Sequence, residues 1–194
     1  ASLTKPLATT LAVLLFIAAH KIHFDDPVSQ FLPDFQGPGK KRITIRRLLT
    51  HTSGLPAWRP YFQAIRAQEE STGTQSFLGT RHAREWVYSH IQHEPLDAAP
   101  GERAVYSDLG FILLGAIVER LSGLALDQFC QQRIFDPLGL QATTFVNLES
   151  PNLDSLFLPD RFAATERCPW RKRVLCGHVH DDNAYAMGGV AGHA

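Results

Sequence analysis

The sequence predicts a helix-dominated domain, and three observations carry that expectation. Apolar residues recur at helical spacing in separate runs, at 6–19, 81–92, 109–121 and 127–135. Most runs are bracketed by capping or stop signals, among them Pro6 near the start of the first and Ser122-Gly123 after the third. With 44% hydrophobic residues in 194, the chain can bury a core, so wholesale disorder is excluded.

The elements follow in order. Residues 6–19, PLATTLAVLLFIAA, are the most apolar stretch and fall short of the about 20 residues a transmembrane helix needs. A secretory signal would use Lys5 as its charged region, but no clear small-x-small cleavage site follows. A buried helix with Pro6 in its first turn fits better. Asp25-Asp26-Pro27-Val28 reads as a turn into a short helix that Leu32-Pro33 stops. Thr44 can cap a helix over Ile45 to Thr50, ended by Thr52-Ser53-Gly54-Leu55-Pro56. Residues 60–79 are polar and ambiguous. Trp86, Val87 and Ile91 mark a helix over 81–92, and Leu109 to Leu121 marks a strongly apolar one. Asp127 to Phe135 is amphipathic and stops at Asp136-Pro137-Leu138-Gly139. Thr143 to Val146 reads as a short strand, and the chain from Pro151 onward as irregular loop.

Composition narrows the function classes. Nineteen basic and nineteen acidic side chains cancel, which argues against a nucleic-acid binder. The basic clusters Lys40-Lys41-Arg42 with Arg46-Arg47, and Arg167 with Arg171-Lys172-Arg173, are then solvated faces. Gly37-Pro38-Gly39-Lys40 lacks the remaining spacing of a phosphate loop. Three cysteines, Cys130, Cys168 and Cys176, are too few for a disulfide framework and lean towards a reducing, cytoplasmic compartment. A periplasmic location stays open, because any leader would lie ahead of Ala1. The single Met187 and the abrupt glycine-rich stop lead us to expect 1–194 to be one partial domain of a longer protein, truncated at both ends.

Two motifs can carry chemistry. Ser2-Leu3-Thr4-Lys5 has the form S-x-x-K, and residues three apart on a helix lie close enough for a hydroxyl and an amine to touch. Ser–Lys pairing is one way to activate a nucleophile, and a helix N-terminus suits a developing oxyanion. The bland alternative makes Ser2 an N-cap and Lys5 a solvated first-turn residue. Tyr106-Ser107-Asp108 immediately precedes the long apolar helix, so Tyr106 can relay a proton there. Alternatively Ser107 or Asp108 is a cap and Tyr106 a packed aromatic.

Together these motifs resemble the serine β-lactamase and penicillin-binding-protein superfamily. ASLTKPLATT, HKIHFDDPVSQFLPDF, ITIRRLLTHTSGLP and PGERAVYSDLGFILLGAIVERLSG stand in the order of class C β-lactamases, DD-peptidases and related esterases. The resemblance implies an α+β, β-lactamase/transpeptidase-like fold, with this segment mostly the helical subdomain and nucleophile helix. It implies an acyl-enzyme hydrolase with Ser2 as nucleophile, Lys5 and Tyr106 as proton-handling partners and Asp108 on the substrate side. No cofactor and no metal are implied; the substrate is a small ester, peptide or β-lactam, and the oligomeric state stays open.

Two departures qualify the resemblance. The family usually has Asn where Asp108 stands, and an ionised carboxylate cannot donate to a substrate amide, which tilts the expectation towards esters. The third family motif, K-T-G or H-x-G, is not in these residues and by resemblance lies beyond Ala194. The 194 residues alone are therefore expected to be inactive.

Other candidates are weaker. His51, in Thr50-His51-Thr52-Ser53-Gly54, is by resemblance a structural residue and not a base. His178 and His180 would point the same way along an extended strand, near Cys168 and Cys176, which makes a metal-dependent hydrolase one rival. Related hydrolases carry a similar VHD-x-NA stretch before GGVAGHAG, so a metal-free loop is preferred. A non-catalytic binding protein on the same scaffold is the other rival.

Overall fold

The first apolar run folds as one continuous helix. In the computed structural model, which describes residues 2–73, 77–151, 153 and 162–194, a π-type turn over Lys5–Thr9 leads into α1 (Thr10–Ala18). Pro6 lies in that first turn, where its missing N–H leaves no bond unmade. Ala8, Ala12, Val13 and Phe16 form the buried face, whereas Leu3 and Leu7 stand exposed. No single helix among the described residues is long and apolar enough to cross a membrane.

Local signals then place the helices. α2 (Val28–Phe31) follows the Pro27 turn. α3 (Ile45–Leu49) is capped by Thr44, whose side chain accepts the Arg47 N–H. The ambiguous polar stretch contains α4 (Tyr61–Thr72), and α5 (Arg81–His93) starts on the cap residue Thr80. α6 (Asp108–Ser122) begins with Ser107 Oγ accepting the Gly110 N–H and ends on left-handed Gly123. α7 (Leu126–Cys130) runs on through a second π-type turn over Gln131–Phe135.

α6 is the axis of the structure because its sequence is apolar on every side. Each residue from Leu109 to Val118 is buried, as an all-round hydrophobic helix requires. The Lys5–Thr9 turn and α1, α2, α3, α5 and α7 pack around it. Ile112, Leu113, Leu114 and Ile117 are fully removed from water, each burial stabilising by about 1.5–3 kcal/mol.

The sheet lies where the sequence reads as loop. β1 (Ala164–Cys168) and β2 (Arg173–Cys176) form an antiparallel hairpin with an irregularity between Ala164 and Arg167. Four of the five β1 residues are exposed, so the hairpin carries no alternating apolar signal. The expected strand at Thr143–Val146 does not form: that segment joins no ladder. Its continuation instead meets a glycine loop, with Leu148 N–H donating to the Gly188 carbonyl. Positions 152 and 154–161, within the expected loop, lie outside the described residues.

α8 (Asp182–Ala186) is capped by Asp181, which accepts the Ala184 N–H. Buried Asn183 ties it to α4, its Oδ1 accepting the Phe62 N–H and its Nδ2 donating to the Arg59 carbonyl. Residues 188–194 then cross α6 at very close range. A Cβ on Gly192 would stand 2.2 Å from the Phe111 carbonyl oxygen, so only glycine fits that crossing.

Candidate active site

Lys5 is the centre of the candidate site, 3% exposed at the start of the first helix. Its Nζ lies 3.0 Å from Ser2 Oγ, 2.7 Å from Asp108 Oδ1 and 3.0 Å from the His193 carbonyl oxygen. An ammonium has three N–H donors, and here each has an acceptor. Ser2 arrives by helical spacing, since the Lys5 N–H also donates to the Ser2 carbonyl. Asp108 arrives because it is the first residue of α6, on which the Lys5–Thr9 turn and α1 pack. The bland roles for Ser2 and Lys5 therefore do not hold. Thr4, not Ser2, flanks the helix start, and Lys5 is buried.

Asp108 meets Lys5 as an ion pair, with side chains 4% and 19% exposed. Such a pair is costly to break from one side, because the remaining charge stays buried alone.

Tyr106 contributes its ring. It is 55% exposed, and Lys5 Nζ stands 4.7 Å from its ring centroid, a cation–π distance. Its hydroxyl makes no hydrogen bond to Ser2 or Lys5. The other ring neighbour is His51, centroids 4.5 Å apart. His51 Nδ1 accepts the Ser107 N–H at 3.0 Å and its backbone adopts φ of 58°. Burial and then the Lys5 charge push the His51 imidazole below its ordinary range, keeping it neutral. His51 is thus a structural acceptor that fixes the Tyr106–Ser107 backbone.

Two residues from the stretch that the sequence presents as irregular loop complete the cluster. His193 Nε2 lies 3.0 Å from Asp181 Oδ1, and His193 is 1% exposed. Burial alone would raise the Asp181 carboxyl, but the His193 hydrogen bond and charge, the Ala184 N–H and Lys5 bring it down to about 2. The available signals were the VHD-x-NA and GGVAGHA phrases, whose residues meet only after 180–194 folds back over α6.

A metal reading finds little to stand on. His178 and His180 lie past the end of β2, not on it. His180 faces Glu166 at 3.3 Å, and the His178 ring packs edge-on to Tyr185. Among the described residues, donors grouped closely enough for an ion belong to Asp108, Asp181 and His193, within 4.8 Å of one another. Asp108 in that group is already paired with the Lys5 ammonium through Oδ1.

Comparison with known proteins decides the family. The family model described as Beta-lactamase matches residues 1–160. The chain belongs to the beta-lactamase family. An N-acetylmuramyl-L-alanine amidase of Bacillus subtilis (strain 168) is 34% identical, aligned over 100% of this chain and 45% of its own length. A protein of Escherichia coli (strain K12), provisionally named a D-alanyl-D-alanine carboxypeptidase, is also 34% identical, over 100% of this chain and 46% of its own. The chain thus spans about half the length of the curated relatives it matches. The crystal structure of a penicillin binding protein from Bacillus halodurans superposes with a TM-score of 0.66 at 24% identity, over 100% of this chain and 53% of that one. The fold is therefore the expected α+β, β-lactamase/transpeptidase-like one, seen here mostly as its helical part.

Proposed function

We propose that this chain carries the nucleophile half of a serine hydrolase that works through an acyl-enzyme. The observation that carries the reading is the 3.0 Å contact between Lys5 Nζ and Ser2 Oγ, made by a buried lysine. To act as a base, Lys5 first gives up an ammonium proton, and Asp108 Oδ1 at 2.7 Å is the acceptor in contact. The free amine then takes the Ser2 hydroxyl proton as Oγ bonds to the substrate carbonyl carbon. The tetrahedral adduct collapses, the leaving group departs with a proton, and water later cleaves the acyl–Ser2 bond. Tyr106, whose ring lies against Lys5, supplies the leaving-group proton and takes its replacement from Lys5, which holds the proton removed from Ser2.

Peptide or amide bonds are the favoured substrates over esters. The Asp108 carboxylate, paired with Lys5, offers no donor to a substrate amide, which on its own favours esters. The names of the amidase and carboxypeptidase relatives outweigh that and support the amide reading. The test is covalent labelling of Ser2 by a fluorophosphonate or penicillin probe, with mass mapping of the adduct. A probe that labels elsewhere, or nowhere, removes the nucleophile assignment.

A further inference from the structure

The Asp181–His193 pair lies outside the Ser2, Lys5 and Tyr106 set, yet it is joined directly to Lys5. His193 makes two attachments: its backbone carbonyl accepts from Lys5 Nζ at 3.0 Å, and its ring Nε2 lies 3.0 Å from Asp181 Oδ1. Asp181 as a carboxylate can only accept, so Nε2 carries the hydrogen of this bond. Asp181 is anchored in turn, because the same Oδ1 accepts the Ala184 N–H at 2.8 Å at the start of α8. The neighbouring peptide is held too: Thr9 Oγ1 donates to the Gly192 carbonyl at 2.6 Å, from the helix that carries Lys5. Movement towards α6 is blocked by the tight crossing at Gly192.

We infer that Asp181 and His193 are positioning residues for acylation, which hold the 193 carbonyl so that Lys5 Nζ stays directed at Ser2 Oγ. The inference rests on the serine-hydrolase reading above. Three acceptors define the direction of a three-donor ammonium; with the carbonyl released, two remain and Nζ can swing away from Ser2. The imidazole is 1% exposed and its ring hydrogen bond goes to Asp181, so its loss should leave substrate affinity alone. A residue that served only the core would lower stability and leave the labelling rate of the folded protein unchanged.

The experiment measures Ser2 labelling by a fluorophosphonate probe in the whole protein, separating the maximal rate from the half-saturating concentration. Thermal melts accompany each variant. A displacement of about 1 Å at a catalytic group costs about 10²-fold, so His193→Ala should slow the maximal rate about that much, with half-saturation within about threefold. His193→Gln places an amide N–H where Nε2 was, and should regain most of the loss. If His193→Ala fails to fold, Asp181→Ala and His193→Gln carry the test, and Asp181→Ala, which removes the acceptor of the His193 ring, must slow the maximal rate more than His193→Gln. Folded variants that label at the wild-type rate overturn the inference, as does a loss that appears only as weaker half-saturation. A wild type that does not label at Ser2 removes the nucleophile reading and this inference with it; a labelled wild type with unaffected variants removes this inference alone.

Discussion

Lys5 and Asp108, 103 positions apart in the chain, meet as a 2.7 Å ion pair that joins the first helix to the first residue of α6. Its worth is best seen by breaking it from one side. Asp108→Ala leaves the Lys5 ammonium buried without its carboxylate and should cost about 3–5 kcal/mol of stability. Asp108→Asn keeps an oxygen acceptor in place and should cost clearly less. Chemical denaturation of the two variants beside the wild type checks this; equal losses would mean that charge contributes nothing there.

In the whole protein Ser2→Ala should abolish acyl transfer while leaving the fold intact, because Ser2 is exposed. A fall of about 10³-fold or more in turnover of a peptide or p-nitrophenyl ester substrate is expected. Retained turnover with an unchanged melting curve would remove Ser2 from the mechanism.

Tyr106 separates ring from hydroxyl. Tyr106→Phe keeps the aromatic face over Lys5 and deletes the proton, so kcat should fall about 10²–10⁴-fold with little change in KM or stability. Tyr106→Ala should additionally cost about 0.5–2 kcal/mol by removing the cation–π contact. If Tyr106→Phe turns over at the wild-type rate, the ring contact is all that Tyr106 supplies.

Asp181 gives a pH signature. Its carboxyl titrates at about 2 in the fold against 3.8 ordinarily. A depressed folded value means that the unfolded chain binds the proton more readily. The stabilisation is therefore complete above about pH 4 and is lost as pH falls towards 2, and it amounts to about 2 kcal/mol. Melting temperatures from pH 5 to pH 2 should drop less steeply in Asp181→Asn than in the wild type. Parallel curves would show that Asp181 is not held down by His193 and its other partners.

What was legible in the sequence was local. Thr44, Thr80 and Ser107 cap helices through bonds to residues three positions on, and Ser2 reaches Lys5 by the same spacing. Such contacts need only a helix, so residue type and period suffice to find them. The all-apolar run of α6 likewise announces its own burial. The resemblance in the two motifs added the family, and with it an α+β fold that helical periodicity does not imply. The hairpin over 164–176 was illegible because it is exposed and so imposes no apolar alternation. Only the tertiary structure decided that Asp108 grips Lys5 and not open solvent, that Tyr106 offers its face, and that His193 and Asp181 join the cluster. Those contacts depend on how 180–194 crosses α6 and on how α6 meets the first helix. That crossing is set by shape, through Gly192 and Thr9, and burial then makes each charge there depend on its neighbours, a coupling that no residue spacing encodes.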